Sequence, residues 1–432
     1  MKSEPHFVIV GHDSCHNRGC EALARTAIMV LKEQWPNAFV SVVSAFPEHD
    51  APLMEFDQVD IIPGISVLSS LLSSTDDGRS TGRKVLDRAS RVAVAGCPSL
   101  GKWLNQPIPE QSPVKVADFR RTRHLISLFQ SATAVISIGG DLFIEDYGPP
   151  FMAMEQLELA QHIGVPTLVW GASIWPLKTK WIEERIRTML TSCTRVFVRD
   201  GITVQYLMSL GITTNVIRVA DGAFLMPAKQ PASYTPPQHS EVKLVVGFNG
   251  SSLIGNYLSR PACQHAITEM AAFCDELIVQ NGALIYLIPH DGPPGARERE
   301  FLFEFRELLK MKERAILIPA GLNAPQTKYY IGLLDVFVAM RFHPSIAALS
   351  QGIPTLGLSH SPKFMGLHET VFNHTRYLLP YDRISRVSLR DCMSMIIKEI
   401  PLIRAQLRTR VPELQALANS VGIHAAAALA DK

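Results

Sequence analysis

The chain has 432 residues, of which 47% are hydrophobic and 19% charged, so it is a folded protein that is too long for one ordinary core and is expected to form two domains. A formal net charge of +2 gives no reason to expect nucleic acid as a partner. The seven cysteines are scattered and include no CxxC pair, which predicts reduced thiols in the cytoplasm and no zinc site; no other ligand cluster indicates a metal. The N-terminal stretch lacks the pattern of a signal peptide, and no apolar run reaches the roughly 18–20 residues that a membrane-spanning helix needs.

The first elements predict a doubly wound α/β domain. An apolar run at 7–10 ends in Gly11, helical spacing of apolar residues begins at Cys20, and 39–43 has strand character. In such domains ligands bind at the loops that follow the strands. Four residues of the first loop are therefore candidates for ligand contact: Asn17, Arg18, Gly19 and Glu21. The alternative is a plain turn followed by a charged helix start.

Residues 64–115 carry little regular pattern. Serine, glycine and proline are frequent there, so we predict a mobile insertion with one or two helices that shapes or covers a site. The apolar pairs Val67-Leu68 and Leu71-Leu72 are interpreted first as ordinary packing, and a peripheral membrane or partner contact is the second interpretation.

Several later strands of the first half are predicted to end in glycine or in a charged residue. A helix near 118–130 precedes a strand at 134–138, and further strands are predicted at 167–170, 195–198 and 216–219. The residues that follow them are Gly139, Gly140 and Asp141, then Gly171, then Arg199 and Asp200, and finally Asp221. Two glycines at a strand end let the backbone approach a ligand closely. This repetition along one rim predicts a binding site there.

A stretch with four prolines, 227–240, predicts an interdomain linker, which we place at 229–240. The two domains are therefore expected at 1–228 and 241–385. From 386 to 432 the apolar spacing predicts C-terminal helices that pack back over the first domain.

The most informative stretch is 334–358, which predicts a buried strand, a polar elbow with Arg341 and His343, a helix and a second buried strand. Pro344 suits the first position of this helix, and Gly352 suits the left-handed position just past its end. Arg341 and His343 would then lie beside a helix N-terminus, whose N–H groups attract anions. In the alternative interpretation, Arg341 pairs with a neighbouring carboxylate and His343 is a packed core residue.

These motifs, in this order, resemble those of the polysaccharide pyruvyl transferase family over about residues 7–366. The resemblance is carried by His16-Asn17-Arg18-Gly19-Cys20-Glu21, Ile138-Gly139-Gly140-Asp141, Val198-Arg199-Asp200, Asp221-Gly222-Ala223-Phe224, Ile288-Pro289-His290-Asp291, Met340-Arg341-Phe342-His343 and Pro362-Lys363. It implies an α/β, GT-B-like fold in which two Rossmann-type domains face a cleft. It also implies phosphoenolpyruvate as the donor substrate, without a further cofactor.

The resemblance assigns sides of the cleft to the candidate residues. The C-terminal domain would hold the donor, with His343 and Arg341 as the catalytic pair. Donor contacts are expected from Arg199, Arg341, Phe342 (through its backbone N–H), His343, Lys363 and His290. For Lys363 and His290 a solvated loop position is an equal alternative. The N-terminal domain would bind the acceptor through Asn17, Arg18, Gly19, Glu21, Gly139, Gly140 and Asp141.

The implied reaction forms a pyruvate ketal on a sugar of a polysaccharide or of its lipid-linked or nucleotide-linked precursor. His343 would act as the acid or protonate the phosphate, and Arg341 and Arg199 would clamp the donor's anionic groups. A carboxylate, Asp141 or Glu21, would activate the acceptor hydroxyl. Trp170 and Trp175 are candidates for stacking on a sugar face, but core packing is the favoured interpretation.

The chain departs from the family pattern in three places. Phe342 stands where leucine is common, His360-Ser361 where an aromatic residue and aspartate often precede Pro-Lys, and Trp175 where glycine is usual. The last two bear on the identity of the acceptor, since the donor residues are retained.

Two other functions fit the same sequence. One is a GT-B nucleotide-sugar glycosyltransferase, because a fold does not determine its chemistry. The other is a non-catalytic member that binds an anionic sugar or a partner protein. The expected location is the cytoplasm, with the inner face of the membrane as an alternative.

Overall fold

A computed structural model describes residues 4–54, 59–64, 116–146, 150–232, 234, 242–291, 298–359 and 361–430. The predicted insertion at 64–115 lies outside the described residues except for Gly64, and so do its apolar pairs and His360. The side chains of 116–122 are also outside the description.

The first part of the chain forms a sheet of seven parallel strands in the order β3-β2-β1-β4-β5-β6-β7. These strands are β1 (His6–Val10), β2 (Phe39–Ser44), β3 (Asp60–Pro63), β4 (Ala134–Ile138), β5 (Thr167–Ala172), β6 (Arg195–Val198) and β7 (Val216–Arg218). The strand order reverses direction between β1 and β4, which is where ligands bind in doubly wound sheets.

The second part forms a sheet of six parallel strands in the order β10-β9-β8-β11-β12-β13. These strands are β8 (Leu244–Asn249), β9 (Ala283–Leu287), β10 (Ala315–Leu317), β11 (Val336–Ala339), β12 (Thr355–Leu358) and β13 (Leu378–Leu379). Here the order reverses between β8 and β11, so the predicted strand before Arg341 borders the second switch point.

Helices connect the strands of both sheets. Those of the first part are α1 (Arg18–Gln34), α2 (Pro47–Met54), α3 (Val116–Gln130), α4 (Phe151–His162), α5 (Lys180–Thr191) and α6 (Gly201–Ser209). Those of the second part are α7 (Arg260–Asn281), α8 (Glu298–Glu307), α9 (Ala324–Gly332), α10 (Phe342–Leu349), α11 (Pro362–Phe372) and α12 (Arg386–Ala430). Short 3-10 helices lie at Gly222–Leu225, Ser252–Asn256, Lys312–Arg314 and Tyr381–Arg383.

The central strands are buried on both faces, as parallel sheets covered by helices require, whereas the edge strands β3 and β7 are partly exposed. In β1, Val8 and Val10 belong to one apolar cluster, whereas Phe7 and Ile9 belong to the cluster on the opposite face. This alternation follows from the two-residue period of a strand. The near-continuous apolar composition of the predicted strands therefore reflects burial on both sides.

The C-terminal segment is a single helix of 45 residues, α12, and not the several helices expected from the sequence. Its first half contributes residues such as Leu389 and Leu407 to the core of the second part, and its last turns contribute Val421 and Ala425 to the core of the first. A Cβ added at Gly422 would lie 2.9 Å from Val30 in α1, so a small residue is needed where the two helices meet. The predicted packing over the first domain is confirmed.

The helix after β11 begins earlier than the proline signal predicts. Phe342 is its first residue and Arg341 its N-cap, so Pro344 occupies the third position. The prediction was wrong by two residues because the backbone N–H of Arg341 is held by the Asn249 side chain of β8 (3.0 Å), and the chain turns into the helix directly after that contact. Pro344 is still tolerated, since N–H groups of the first turn have no intrahelical acceptor. Gly352 has the predicted left-handed conformation, with φ of 76°.

Candidate functional site

The carboxyl ends of the two sheets face each other, and backbone contacts join their loops. Asn17, in the loop after β1, forms a bridge with Asp291 after β9. The N–H of Arg18 donates to the carbonyl of His290 at 3.0 Å. The N-terminus of α10 lies beside this junction, because a Cβ added at Gly19 would collide with the imidazole of His343. The predicted residues of both halves therefore meet in one cleft.

Arg199, at the end of β6, is buried and held on three sides. Its Nε donates to Ser173 Oγ at 2.8 Å, and its Nη1 donates to Asp221 Oδ2 at 2.6 Å. Its guanidinium lies over the ring of Phe342, 4.3 Å from the ring centre. Arg199 thus comes from the first domain and contacts the helix N-terminus of the second, as a cation–π pair.

The glycine pair after β4 leaves room for the guanidinium of Arg199. A Cβ at Gly140 would collide with the guanidinium of Arg199, so the close approach predicted for a ligand is made here by a side chain of the protein. Gly139 has φ of 131°, a backbone conformation that favours glycine. Both glycines are needed at the site, and their contact with an acceptor stays a prediction.

His343 lies in the first turn of α10 with its side chain only 16% exposed. Its Nε2 is 3.9 Å from Asp221 Oδ2, and this nitrogen has no hydrogen-bond partner within the described part of the chain. Burial lowers the pKa of His343 from 6.5 to about 4; Asp221 opposes this change and Arg199 adds to it. The imidazole is therefore neutral near pH 7 when the site holds no anion.

Lys363, in the first turn of α11, reaches across the cleft. Its Nζ is 2.5 Å from Asp141 Oδ2, and it lies 5.9 Å from the centre of the Phe342 ring. Burial raises the pKa of Asp141, but Lys363, Arg199 and His343 outweigh that effect, so the pKa is held well below its usual range. Asp141 is accordingly ionised, and the pair links the two domains.

Arg341 is engaged with carboxylates of its own domain. Its Nη2 pairs with Asp291, and its Nε lies 2.7 Å from Glu298 Oε1. Burial raises the pKa of both carboxyl groups and Arg341 opposes it. The carboxylate-pairing interpretation of Arg341 thus describes this arrangement, while its contact with a donor stays a prediction.

His290 is buried behind this pair. Its backbone N–H donates to Glu298 Oε2 at 2.9 Å. Burial, with His343 and Arg341 adding to it, lowers the pKa of His290 well below the ordinary value, so the ring is neutral. A solvated loop position, the alternative considered for this residue, does not describe its surroundings.

The residues of the first loop are used in holding the domains together. The Asn17 side chain caps α1 by accepting from the N–H groups of Gly19 and Cys20. Glu21 is fully buried, and its carboxylate accepts from Arg25 Nε (2.9 Å), Arg18 Nη1 (3.0 Å) and the Ala324 N–H of α9 (2.9 Å). Both oxygens of Glu21 are occupied, so of the two carboxylates considered as a base only Asp141 is available to the cleft.

Several residues of the site were not among the predicted site residues. Asp221, Ser173, Asp291 and Glu298 supply the oxygens that hold the arginines. Asp221 and Asp291 belong to the recognised motifs, and Ser173 lies three residues after a predicted strand, so the sequence carried a signal for these three. For Glu298 it carried none. Trp170 is buried and packs edge-on against Phe197, as core packing predicts, and Trp175 is half-buried.

A second buried polar cluster surrounds Asp50 beside the first loop. The carboxylate accepts from Ser14 Oγ (3.0 Å), Cys15 N–H (2.9 Å) and Ser44 Oγ (2.6 Å). His12 Nε2 lies 3.1 Å from Asp50 and 3.6 Å from the Cys15 sulfur, a spacing that could hold a metal ion. Burial raises the pKa of the Cys15 thiol, which keeps it protonated, and the hydrogen bonds account for the cluster as an anchor of the loop.

The fold defines the class of protein to which the chain belongs. MnaA of S. aureus with UDP has a TM-score of 0.59, 12% identity and coverage of 96% of this chain and 94% of its own. Anabaena Alr3699/HepE with UDP-glucose has a TM-score of 0.52 and 11% identity, with coverage of 99% of this chain and 98% of its own. A glycosyltransferase from Rickettsia africae has a TM-score of 0.54 and 10% identity, with coverage of 98% of both chains. The chain is therefore a two-domain protein with a GT-B-like fold.

The family is shown by the sequence match. Residues 17–362 match the model of the polysaccharide pyruvyl transferase family, and the chain belongs to that family. It is 25% identical over 222 residues to the amylovoran biosynthesis protein AmsJ of Erwinia amylovora, a match that covers 51% of this chain and 49% of AmsJ. The matched part thus spans about half the length of this relative. Among the described helices, none combines the length and the apolar character needed to cross a membrane.

Proposed function

We propose that this protein transfers the pyruvyl group of phosphoenolpyruvate to two hydroxyls of a sugar, as a ketal, in polysaccharide biosynthesis. The observation that carries the proposal is the buried imidazole of His343 at the N-terminus of α10, between the Arg199–Asp221 and Lys363–Asp141 pairs. A proton donor, two cations and two carboxylates are thereby gathered in one cleft of a chain that belongs to the pyruvyl transferase family.

The donor would bind in exchange for carboxylates of the protein. Phosphoenolpyruvate carries a phosphate and a carboxylate, and the cations of the cleft are already paired with Asp141, Asp221, Asp291 and Glu298. The N–H groups of Phe342 and His343, in the first turn of α10, provide donors that no helix carbonyl uses. An anion at that turn would draw Lys363 away from Asp141 with little cost, since both side chains are partly exposed.

His343 would supply the proton that starts the reaction. Protonation of the methylene carbon makes C2 cationic, one sugar hydroxyl attacks C2, phosphate leaves, and the neighbouring hydroxyl closes the ring. The two hydroxyl protons balance the proton gained by the new methyl group and the proton taken by the departing phosphate or by a base. Burial keeps His343 neutral in the empty site, and the negative charge of a bound donor raises its pKa toward the working range.

Asp141 would accept a proton from the attacking hydroxyl. Its carboxylate is ionised while paired with Lys363, and exchange of that lysine to the donor leaves it next to the acceptor side of the cleft. Glu21 cannot take this role in the observed arrangement, because its oxygens bind Arg18, Arg25 and α9. We place the reaction in the cytoplasm, where the six cysteines that are described as free thiols would remain reduced.

A binding screen tests the donor. The thermal midpoint of the purified protein is measured with phosphoenolpyruvate and, separately, with uridine, guanosine and cytidine diphosphosugars. Stabilisation by phosphoenolpyruvate in the wild type and in His343→Gln supports the proposal. Stabilisation by a diphosphosugar but not by phosphoenolpyruvate would instead identify a nucleotide-sugar glycosyltransferase, and no response to either would indicate a non-catalytic binding protein.

A further inference from the structure

The motif Asp221-Gly222-Ala223-Phe224 lies at the centre of the site, and Asp221 contacts residues of both domains there. Asp221 follows β7, is buried, and caps the short helix Gly222–Leu225 by accepting from the Ala223 N–H through Oδ1 at 2.8 Å. This cap uses one carboxylate oxygen only. The other oxygen points toward the cleft.

Oδ2 of Asp221 has two neighbours that come from different domains. Arg199 Nη1, from the first domain, donates to it at 2.6 Å, and His343 Nε2, from the second, lies 3.9 Å away. That nitrogen is buried and has no hydrogen-bond partner in the described part of the chain. A buried imidazole nitrogen without a partner is unfavourable, and a shift of about 1 Å would bring it within hydrogen-bond distance of Asp221.

The other charged groups around His343 do not offer this contact. Arg199 and Lys363 oppose a positive charge on the ring, and His290 is itself a neutral ring. Asp141 favours the positive charge but is bonded to Lys363. Asp221 has the largest favourable effect on the protonated ring, and Oδ2 is the oxygen that faces Nε2.

We propose that Asp221 is the positioning residue of His343: its Oδ2 holds Arg199 in the first domain and accepts the Nε2–H of His343 from the second. This inference rests on the proposed function, in which His343 supplies a proton, but the contact itself does not depend on the identity of the donor. Because the partners lie in different domains, the contact also makes the proton donor competent only when the cleft is closed.

The test is a titration of His343 by NMR on protein with isotope-labelled histidine, the signal being assigned by its absence in His343→Gln. In Asp221→Asn the midpoint of His343 is expected to fall by about one pH unit, a tenfold change in its protonation equilibrium. Asp221→Glu is expected to restore most of the change. Asp200→Asn is the matched control, since Asp200 belongs to the same arginine network through Ser173 (2.5 Å), while its other oxygen accepts from the Thr203 N–H (2.7 Å).

An unchanged midpoint in a folded Asp221→Asn protein would overturn the inference. If that variant does not fold, the tautomer of His343 is determined by NMR on the wild type at pH 7. The proposed contact requires the proton on Nε2, and a proton on Nδ1 instead would refute it. Phosphoenolpyruvate is added to the same samples. Absence of stabilisation refutes the proposed function and leaves the titration result standing, so the two failures are distinguishable.

Discussion

Arg341 and Lys363 both lie at the mouth of the cleft on the second domain, yet their partners differ in a way that matters for ligand binding. Arg341 pairs with Asp291 and Glu298, which belong to its own domain. Lys363 pairs with Asp141 of the other domain. Opening of the cleft leaves the first pairing intact and breaks the second. A cation whose partner moves away is the one that an incoming anion can engage, so Lys363 is expected to respond to the donor more than Arg341.

The largest expected effect is on catalysis, and it tests whether the cations bind the donor independently of the proton donor His343. In His343→Gln, pyruvyl transfer should fall by a factor of about 10² to 10⁴, while the affinity for phosphoenolpyruvate stays within about threefold because the cations remain. Product formation and phosphate release are measured with a suitable sugar acceptor. Turnover equal to that of the wild type would remove His343 from the reaction.

The second effect concerns stability and contrasts the two pairings. Glu298→Gln is expected to lower the free energy of unfolding by about 3 kcal/mol, because it leaves a partly buried guanidinium without the more buried of its two carboxylate partners. Asp141→Asn should cost less than about 1 kcal/mol, since the lysine can reach water. Urea unfolding of both variants measures the difference. Equal losses would mean that the cross-domain pair is as structural as the pair within the domain.

A pH dependence follows from the buried histidines. The pKa of His343 in the folded protein is about 4, below its ordinary 6.5, so the unfolded chain binds more protons between these values. The contribution of neutral His343 to the free energy of unfolding is therefore present at pH 7 and is lost as the pH falls. At pH 5 the free energy of unfolding is expected to be lower by about 2 kcal/mol. His368, with a pKa of about 3, acts in the same direction. His343→Gln should flatten the pH dependence of urea unfolding only in part, and an identical slope would contradict the burial effect.

The smallest effect is on donor affinity. Lys363→Met is expected to weaken phosphoenolpyruvate binding about tenfold, and Arg341→Lys less, because Arg341 keeps its own carboxylates. Lys312→Met, which removes an exposed lysine paired with Glu307, is the control for the loss of one charge. Isothermal titration gives the dissociation constants. A greater loss in Arg341→Lys would reverse the comparison and restore the guanidinium fork as the main donor contact.

Much of the local structure followed from residues close together in the sequence. Gly352 was correctly placed in a left-handed conformation after α10, because a helix end is decided by the few residues around it. The start of the same helix was misplaced, because the Asn249 side chain, distant in sequence, holds Arg341. Local signals therefore predicted the end of the helix and missed its beginning.

The site shows the same division. The sequence pattern placed Arg199, Arg341 and His343 at strand and helix ends. The family resemblance gave Arg199 its expected donor role and added Lys363. The sequence left two interpretations of Arg341 open, since nothing in the pattern placed Glu298 against its guanidinium. Glu21 was grouped with ligand-binding residues, and its use as a link to α9 depends on how the domains meet.

The sequence by itself determined the two parallel sheets, the rim on which the polar residues gather and the family, because apolar period, glycine placement and motif order are properties of neighbouring residues. Only the tertiary structure decided which carboxylate each cation faces and that Asp221 lies between Arg199 and His343. The reason is physical: charge pairing depends on distance through space, and the folded chain brings together groups that are far apart along it.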